Sequence, residues 1–148
     1  MSVVHRHHYA ELEENRGIAL RPLLTELTAD LRSSAPVEAR KMRIDLELDA
    51  PSTTQDVAVA VSFLITEIVE YSMLRQPDDN VEISLRRDDE LTATLAITSA
   101  VLVPDGDTAD VAQKQFERIV EGLARQLRSP LDRKLGRYAV TVPIFPDR

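Results

Sequence analysis

A chain of 148 residues with 43% apolar and 29% charged residues has the size and make-up of one globular domain rather than a disordered tail. It contains no Cys, which excludes a disulfide framework, a Cys-ligated zinc, an iron–sulfur cluster and a cysteine nucleophile. A net charge of -7 disfavours nonspecific nucleic-acid binding, and the four glycines (Gly17, Gly106, Gly122, Gly136) are too scattered to form a phosphate-cradling loop. No apolar run approaches the roughly 20 residues of a membrane helix. Met1–Tyr9 is basic and His-rich without the apolar centre of a signal peptide. The expectation is therefore a cytoplasmic protein with no membrane and no nucleic-acid partner.

Residues 1–16 carry little periodicity and read as a leader or the remnant of a preceding element; residues 17–148 read as one domain. Leu20, Leu23, Leu24, Leu27 and Leu31 fall at helical spacing and predict a helix over about 18–33, with Pro22 in its first turn and Ser33, Ser34 and Pro36 ending it. Met42, Ile44, Leu46 and Leu48 alternate with Arg43, Asp45, Glu47 and Asp49, the pattern of a half-buried strand. Thr53 or Thr54 can cap a helix over about 54–74. That helix is apolar on nearly every face at first, so it is expected to be buried. Val81, Ile83 and Leu85, then Leu91, Ala93, Leu95 and Ile97, predict a hairpin about the acidic turn at Asp88–Glu90. After a loop over 100–111, a helix over about 112–128 places Phe116, Ile119, Val120, Leu123 and Leu127 on one face. Tyr138, Val140, Val142 and Ile144 mark a last strand over about 137–145. The order α β α β β α β predicts a two-layer α/β (α+β) sandwich, its helices on one face of the sheet.

Several strings resemble the ATP-binding domain of sensor histidine kinases, and of their HWE-like class in particular. Leu64–Ser72 is similar to that family's N-box helix, Arg118–Leu127 to its last helix, Val140–Pro146 to its final strand, and Val4–Tyr9 to the end of the dimerisation hairpin that precedes the domain. The resemblance implies the fold shared with gyrase, the heat-shock chaperone and mismatch-repair ATPases: a mixed sheet with helices on one face. It also implies an ATP site, with an N-box Glu as base and an Asn one turn later on Mg²⁺. An Asp-x-Gly-x-Gly strand end holds adenine, and a glycine-rich lid holds phosphate.

Glu67 matches the N-box Glu, but its i+4 partner is Tyr71, and a phenol is a poor magnesium ligand. The adenine-binding register falls on Ser99, Ala100 and Val101, without carboxylate or glycine. The lid register falls on Lys114, Gln115, Phe116 and Glu117, again without glycine. Each lost polar anchor weakens binding by about 1–3 kcal/mol. The expectation is a degenerate ATP-binding-like domain, similar also to that of bacterial histidine phosphotransferases, with neither ATP nor magnesium bound. Glu67 is then either a relic base or an ordinary helix carboxylate. His5, His7 and His8 are either metal or phosphoryl acceptors or a His-rich leader. Expected partners are the chain's own dimerisation hairpin, a response-regulator receiver domain met by the basic C-terminal third (Arg128, Arg133, Lys134), and a second copy in a homodimer. Two alternatives are an active kinase domain that uses ATP and magnesium in an unconventional site, and an unrelated α/β interaction module.

Overall fold

The computed structural model describes residues 17–104 and 109–147. The chain order is β1 (Ile18–Ala19), α1 (Leu20–Ser33), a short 3-10 turn (Val37–Ala39), β2 (Ile44–Leu48), β3 (Ser52–Thr53), α2 (Gln55–Arg75), β4 (Val81–Arg87), β5 (Thr92–Thr98), α3 (Val111–Gln126), β6 (Asp132–Lys134) and β7 (Arg137–Pro143). Five strands form one sheet in the order β2-β4-β5-β7-β6, and β1 pairs with β3 in a separate two-stranded ribbon.

The sheet is mixed. β2 runs parallel to β4, with Ile44 opposite Val81 and Leu48 opposite Leu85; all other pairs are antiparallel. A parallel pair needs a long crossover, and α2 is that crossover. This places α2 against the sheet between α1 and α3. Ile83, Leu85, Leu95, Ile97, Tyr138, Val140 and Val142 point from the sheet into the helical layer and are buried. On the opposite face Asp45, Glu47, Glu82, Arg86, Thr98 and Thr141 meet solvent. The helices thus cover one face only, as the element order predicts.

Each helix takes its place from its apolar stripe. In α1, Leu20, Leu24 and Thr28 are buried, with Leu23, Leu27 and Leu31 flanking them. The Thr28 hydroxyl donates to the Leu24 carbonyl oxygen at 2.9 Å, so its burial leaves no polar group unmet. Thr54 caps α2, its side chain accepting from the Val57 N–H. Against the expectation that no apolar run approaches a membrane helix, the 21-residue α2 could cross a membrane by length and composition, with its few polar residues spread along it; 56% of its most apolar window is buried inside this fold. Cover by the rest of the domain accounts for its composition.

The structure corrects the predicted pattern at several points. Leu91 is 61% exposed, because the hairpin turn ends one residue later than the alternation suggests. Ile119 is 37% exposed and stands off the α3 stripe, which is Phe116, Val120 and Ala124 with Leu127 after it. The helix itself ends at Gln126. The ribbon β1–β3 and the strand β6 have no counterpart in the predicted order.

Two backbone positions have physical consequences. Gly17 has φ 85°, and a β-carbon there would collide with the Phe145 ring and lie 2.8 Å from the Thr53 carbonyl oxygen. Arg128 has φ 56° and follows the helix cap Leu127. Its N–H donates to Arg125 and the Ser129 N–H to Ala124, the double closure of a Schellman motif whose left-handed position normally holds glycine. Urea denaturation should show Arg128→Gly stabilising the domain by about 1 kcal/mol, since the left-handed strain of a side chain costs about 1–2 kcal/mol. Gly17→Ala should destabilise it by about 2 kcal/mol or more, from strain and collision together.

Candidate functional site

Of the residues singled out on α2, at the end of β5 and at the start of α3, Tyr71 and Phe116 meet at the junction of α2 and α3 and Ser99 meets Ser72 of α2, while Glu67 and Lys114 stand apart from them. Glu67 and Tyr71 lie one turn apart on α2. Tyr71 does not point to an open space. Its ring stacks on that of Phe116 with centroids 4.0 Å apart and planes 7° from parallel. Both rings are buried, Tyr71 at 9% exposure and Phe116 at 4%.

Arg75, the next turn of α2, lies over the Tyr71 ring at 5.6 Å from its centroid. Its guanidinium donates to Asp110 at 2.6 Å. Asp110 is also the N-cap of α3, accepting from the Gln113 N–H at 2.8 Å. The layers Phe116, Tyr71, Arg75 and Asp110 therefore tie the last turns of α2 to the first turns of α3. The Gln113 N–H and the Arg75 guanidinium hold the Asp110 carboxyl below the usual range. Burial pushes the Tyr71 phenol up, so it stays neutral.

Ser99 is also occupied. Its hydroxyl lies 2.8 Å from that of Ser72 on α2. The Ser72 hydroxyl donates to the Ile68 carbonyl oxygen at 2.7 Å, so Ser99 donates to Ser72. The Ser99 N–H donates to the Gly136 carbonyl, which pins this strand end to the β6–β7 turn. Val101 is buried two residues on, and Lys114 stands exposed on the outer side of α3.

Glu67 is half-buried beside Glu70, and burial followed by repulsion from Glu70 pushes its carboxyl above the usual range. Among the described residues no group of three or more His, Asp or Glu gathers to hold a metal. His5, His7 and His8 lie outside the described residues.

The basic residues of the C-terminal third divide by environment. Arg133, only 23% exposed in its side chain, pairs with Glu117 at 3.2 Å and with Glu121. The Tyr138 hydroxyl donates to the other Glu117 oxygen. Arg133 thus neutralises two α3 carboxylates within the domain. Lys134 sits 3.9 Å from Asp132, and Arg128 is exposed at the helix end. The sequence reading missed the Glu117–Arg133–Tyr138 cluster, although the closely spaced Glu117 and Glu121 on α3 were its one local signal.

The raised Glu67 carboxyl has a pH signature. A carboxylate with an elevated folded pKa opposes folding when ionised, and that opposition fades as pH falls. Glu67→Gln should therefore raise the thermal midpoint slightly at pH 7. The difference should shrink as the pH falls through the raised value toward the ordinary 4.5 and below. Melting curves of both proteins across this range check it.

No protein-family model matches the sequence, and no curated protein matches it. Solved structures do match in three dimensions. The blue-light activated histidine kinase EL346 of Erythrobacter litoralis superposes with a TM-score of 0.67 at 14% identity, over 86% of this chain and 46% of that one. The mycobacterial sensor histidine kinase MprB gives 0.62 at 10% identity, over 88% and 97%. Full-length ShkA in complex with AMPPNP gives 0.65 at 10% identity, over 88% and 31%. This chain thus spans less than half of two of the matched chains and nearly all of the third. Its mixed sheet, crossover helix α2 and one-sided helical layer are the fold of histidine kinase catalytic domains.

Proposed function

We propose that this chain is a degenerate ATP-binding-like domain of a two-component signalling protein, either a histidine kinase or a histidine phosphotransferase. It works through protein contacts in a phosphorelay rather than through strong nucleotide binding. The observation that best supports this reading is the buried Tyr71–Phe116 stack. It joins the helix where the family resemblance puts the magnesium ligand to the helix where that resemblance puts the phosphate-binding lid.

The energetics point the same way. Separating a stacked pair forfeits about 0.5–1.5 kcal/mol. Exposing a buried aromatic ring loses roughly 1.5–3 kcal/mol more. A nucleotide entering between α2 and α3 would meet this resistance and would then find Ser99 where a carboxylate is needed, with its hydroxyl engaged by Ser72. The Asp110–Arg75 pair is exposed, and its opening adds little to the barrier.

Structures of the same fold include one in complex with AMPPNP, so the fold itself is compatible with a nucleotide. The discrimination rests on side chains. Calorimetric titration of ATP with Mg²⁺ should give no saturable binding below about 50 μM, a free energy near -6 kcal/mol. A tighter constant, or ATP turnover that disappears in Glu67→Gln, would overturn the reading in favour of an active kinase domain.

A further inference from the structure

The outward side of α3 has features that nothing inside the domain uses. At 100° per residue, Phe116, Val120 and Ala124 face the core, while Val111, Gln115, Arg118, Gly122 and Arg125 share the opposite side. Lys114 flanks this side on one edge and Ile119 on the other. Glu117 lies buried toward the sheet, and Glu121, with 43% of its side chain exposed, lies at the edge beside Lys114; both pair with Arg133.

The outward side is therefore cationic in a protein whose net charge is -7. Among the described residues, Lys114, Arg118 and Arg125 have no carboxylate within ion-pair distance. Lys114 and Arg118 stand one turn apart, a like-charged spacing that weakens a helix unless something outside it compensates. Val111 is 81% exposed and Ile119 also reaches solvent, so the charges border apolar side chains.

Gly122 is the second observation. It lies in the middle of the last turns of α3 with ordinary helical backbone, so no turn or left-handed conformation requires it. A β-carbon there would meet only the Arg125 guanidinium, at 3.7 Å. Glycine inside a helix is unfavourable relative to alanine, and here no packing within the chain compensates. Gly122 is half-exposed beside the Arg125 guanidinium, and a residue without a side chain there allows another backbone to approach closely once that guanidinium turns to a partner's carboxylate.

We propose that the outward face of α3 docks an acidic amphipathic helix of a partner protein, which crosses at Gly122. Its carboxylates meet Lys114, Arg118 and Arg125, and its apolar seam meets Val111 and Ile119. The 16 residues of α3 extend about 24 Å, enough for roughly four turns of a facing helix. This deepens the reading of the chain as a docking domain and rests on it.

The test is a titration of the isotope-labelled full chain with a synthetic helical peptide of about 18 residues that carries a Leu seam flanked by Glu. The controls are the same peptide with Lys for Glu and a short DNA duplex. Amide shifts should cluster on the outward positions of 111–126, with a dissociation constant on the order of micromolar to 100 μM. Arg118→Glu combined with Arg125→Glu should weaken binding about tenfold or more. Gly122→Leu should raise the thermal midpoint yet weaken the complex about tenfold, a combination that a purely structural glycine would not give. Absence of shifts, shifts elsewhere, equal binding of the DNA duplex, or unchanged affinity in Gly122→Leu would each overturn the proposal. ATP with Mg²⁺ titrated into the same sample separates the two readings: shifts at 67–75 would overturn the loss of the nucleotide site without touching the α3 face.

Discussion

Helix α2 is apolar on nearly every face through its first half, and the rest of the domain is arranged around the need to cover it. Ala58, Val61, Leu64, Ile65, Ile68, Val69 and Met73 are all buried, and they point in too many directions for one neighbour to cover. The sheet takes one side, α1 a second and α3 a third. A helix covered on three sides is a poor place for a cavity. Any opening between α2 and α3 must displace apolar surface, and burial of such surface is the main favourable term in folding.

Polar contacts then fix which turns of the two helices face each other. The aromatic stack would allow α3 to slide or rotate by a fraction of a turn. Asp110 removes that freedom, because it caps α3 and accepts from Arg75 on α2 at the same time. On the other flank Glu117 ties α3 to β6 and β7 through Arg133 and Tyr138. The helix is held at two points, one exposed and one buried. The buried one carries more weight, since a carboxylate removed from water depends on its partners far more than one at the surface.

The large apolar elements were legible in the sequence because their periodicity is local. The Leu20–Leu31 stripe, the alternation from Met42 to Leu48 and the all-round apolar start of α2 each identify an element without reference to the rest of the chain. The ribbon β1–β3 was not legible, because two-residue strands have no period and exist only where Ile18 meets Thr53. Strand β6 reads Asp-Arg-Lys, a polar string made into a strand by its register with Arg137–Ala139. Ile119 was misplaced because helical spacing does not distinguish the edge of a stripe from its centre. At the candidate site, the sequence identified Tyr71, Ser99 and Phe116 as departures from a nucleotide-binding pattern. It could not show what they do instead. Tyr71 and Phe116 are 45 positions apart, and the pairing of Ser72 with Ser99 spans 27. Such contacts are made by the topology and leave no local signal.

The corner where Gly17 touches Phe145 has a mechanical side. Thr53 donates its hydroxyl to the Pro143 carbonyl, and the Phe145 N–H donates to Ser52, so β3 is bonded to the C-terminal segment as well as to β1. The first and last stretches of the domain are thereby fastened to the same two residues. Tension between the chain ahead of Gly17 and the chain beyond Phe145 runs in series through the β1–β3 bonds and then the bonds from Ser52 and Thr53 to the C-terminal segment. It loads them without first passing through α2 or the five-stranded sheet. Pulling by both ends would therefore peel this corner open in shear before the core felt any strain, and a short covalent loop between the two ends would shield the whole domain from tension.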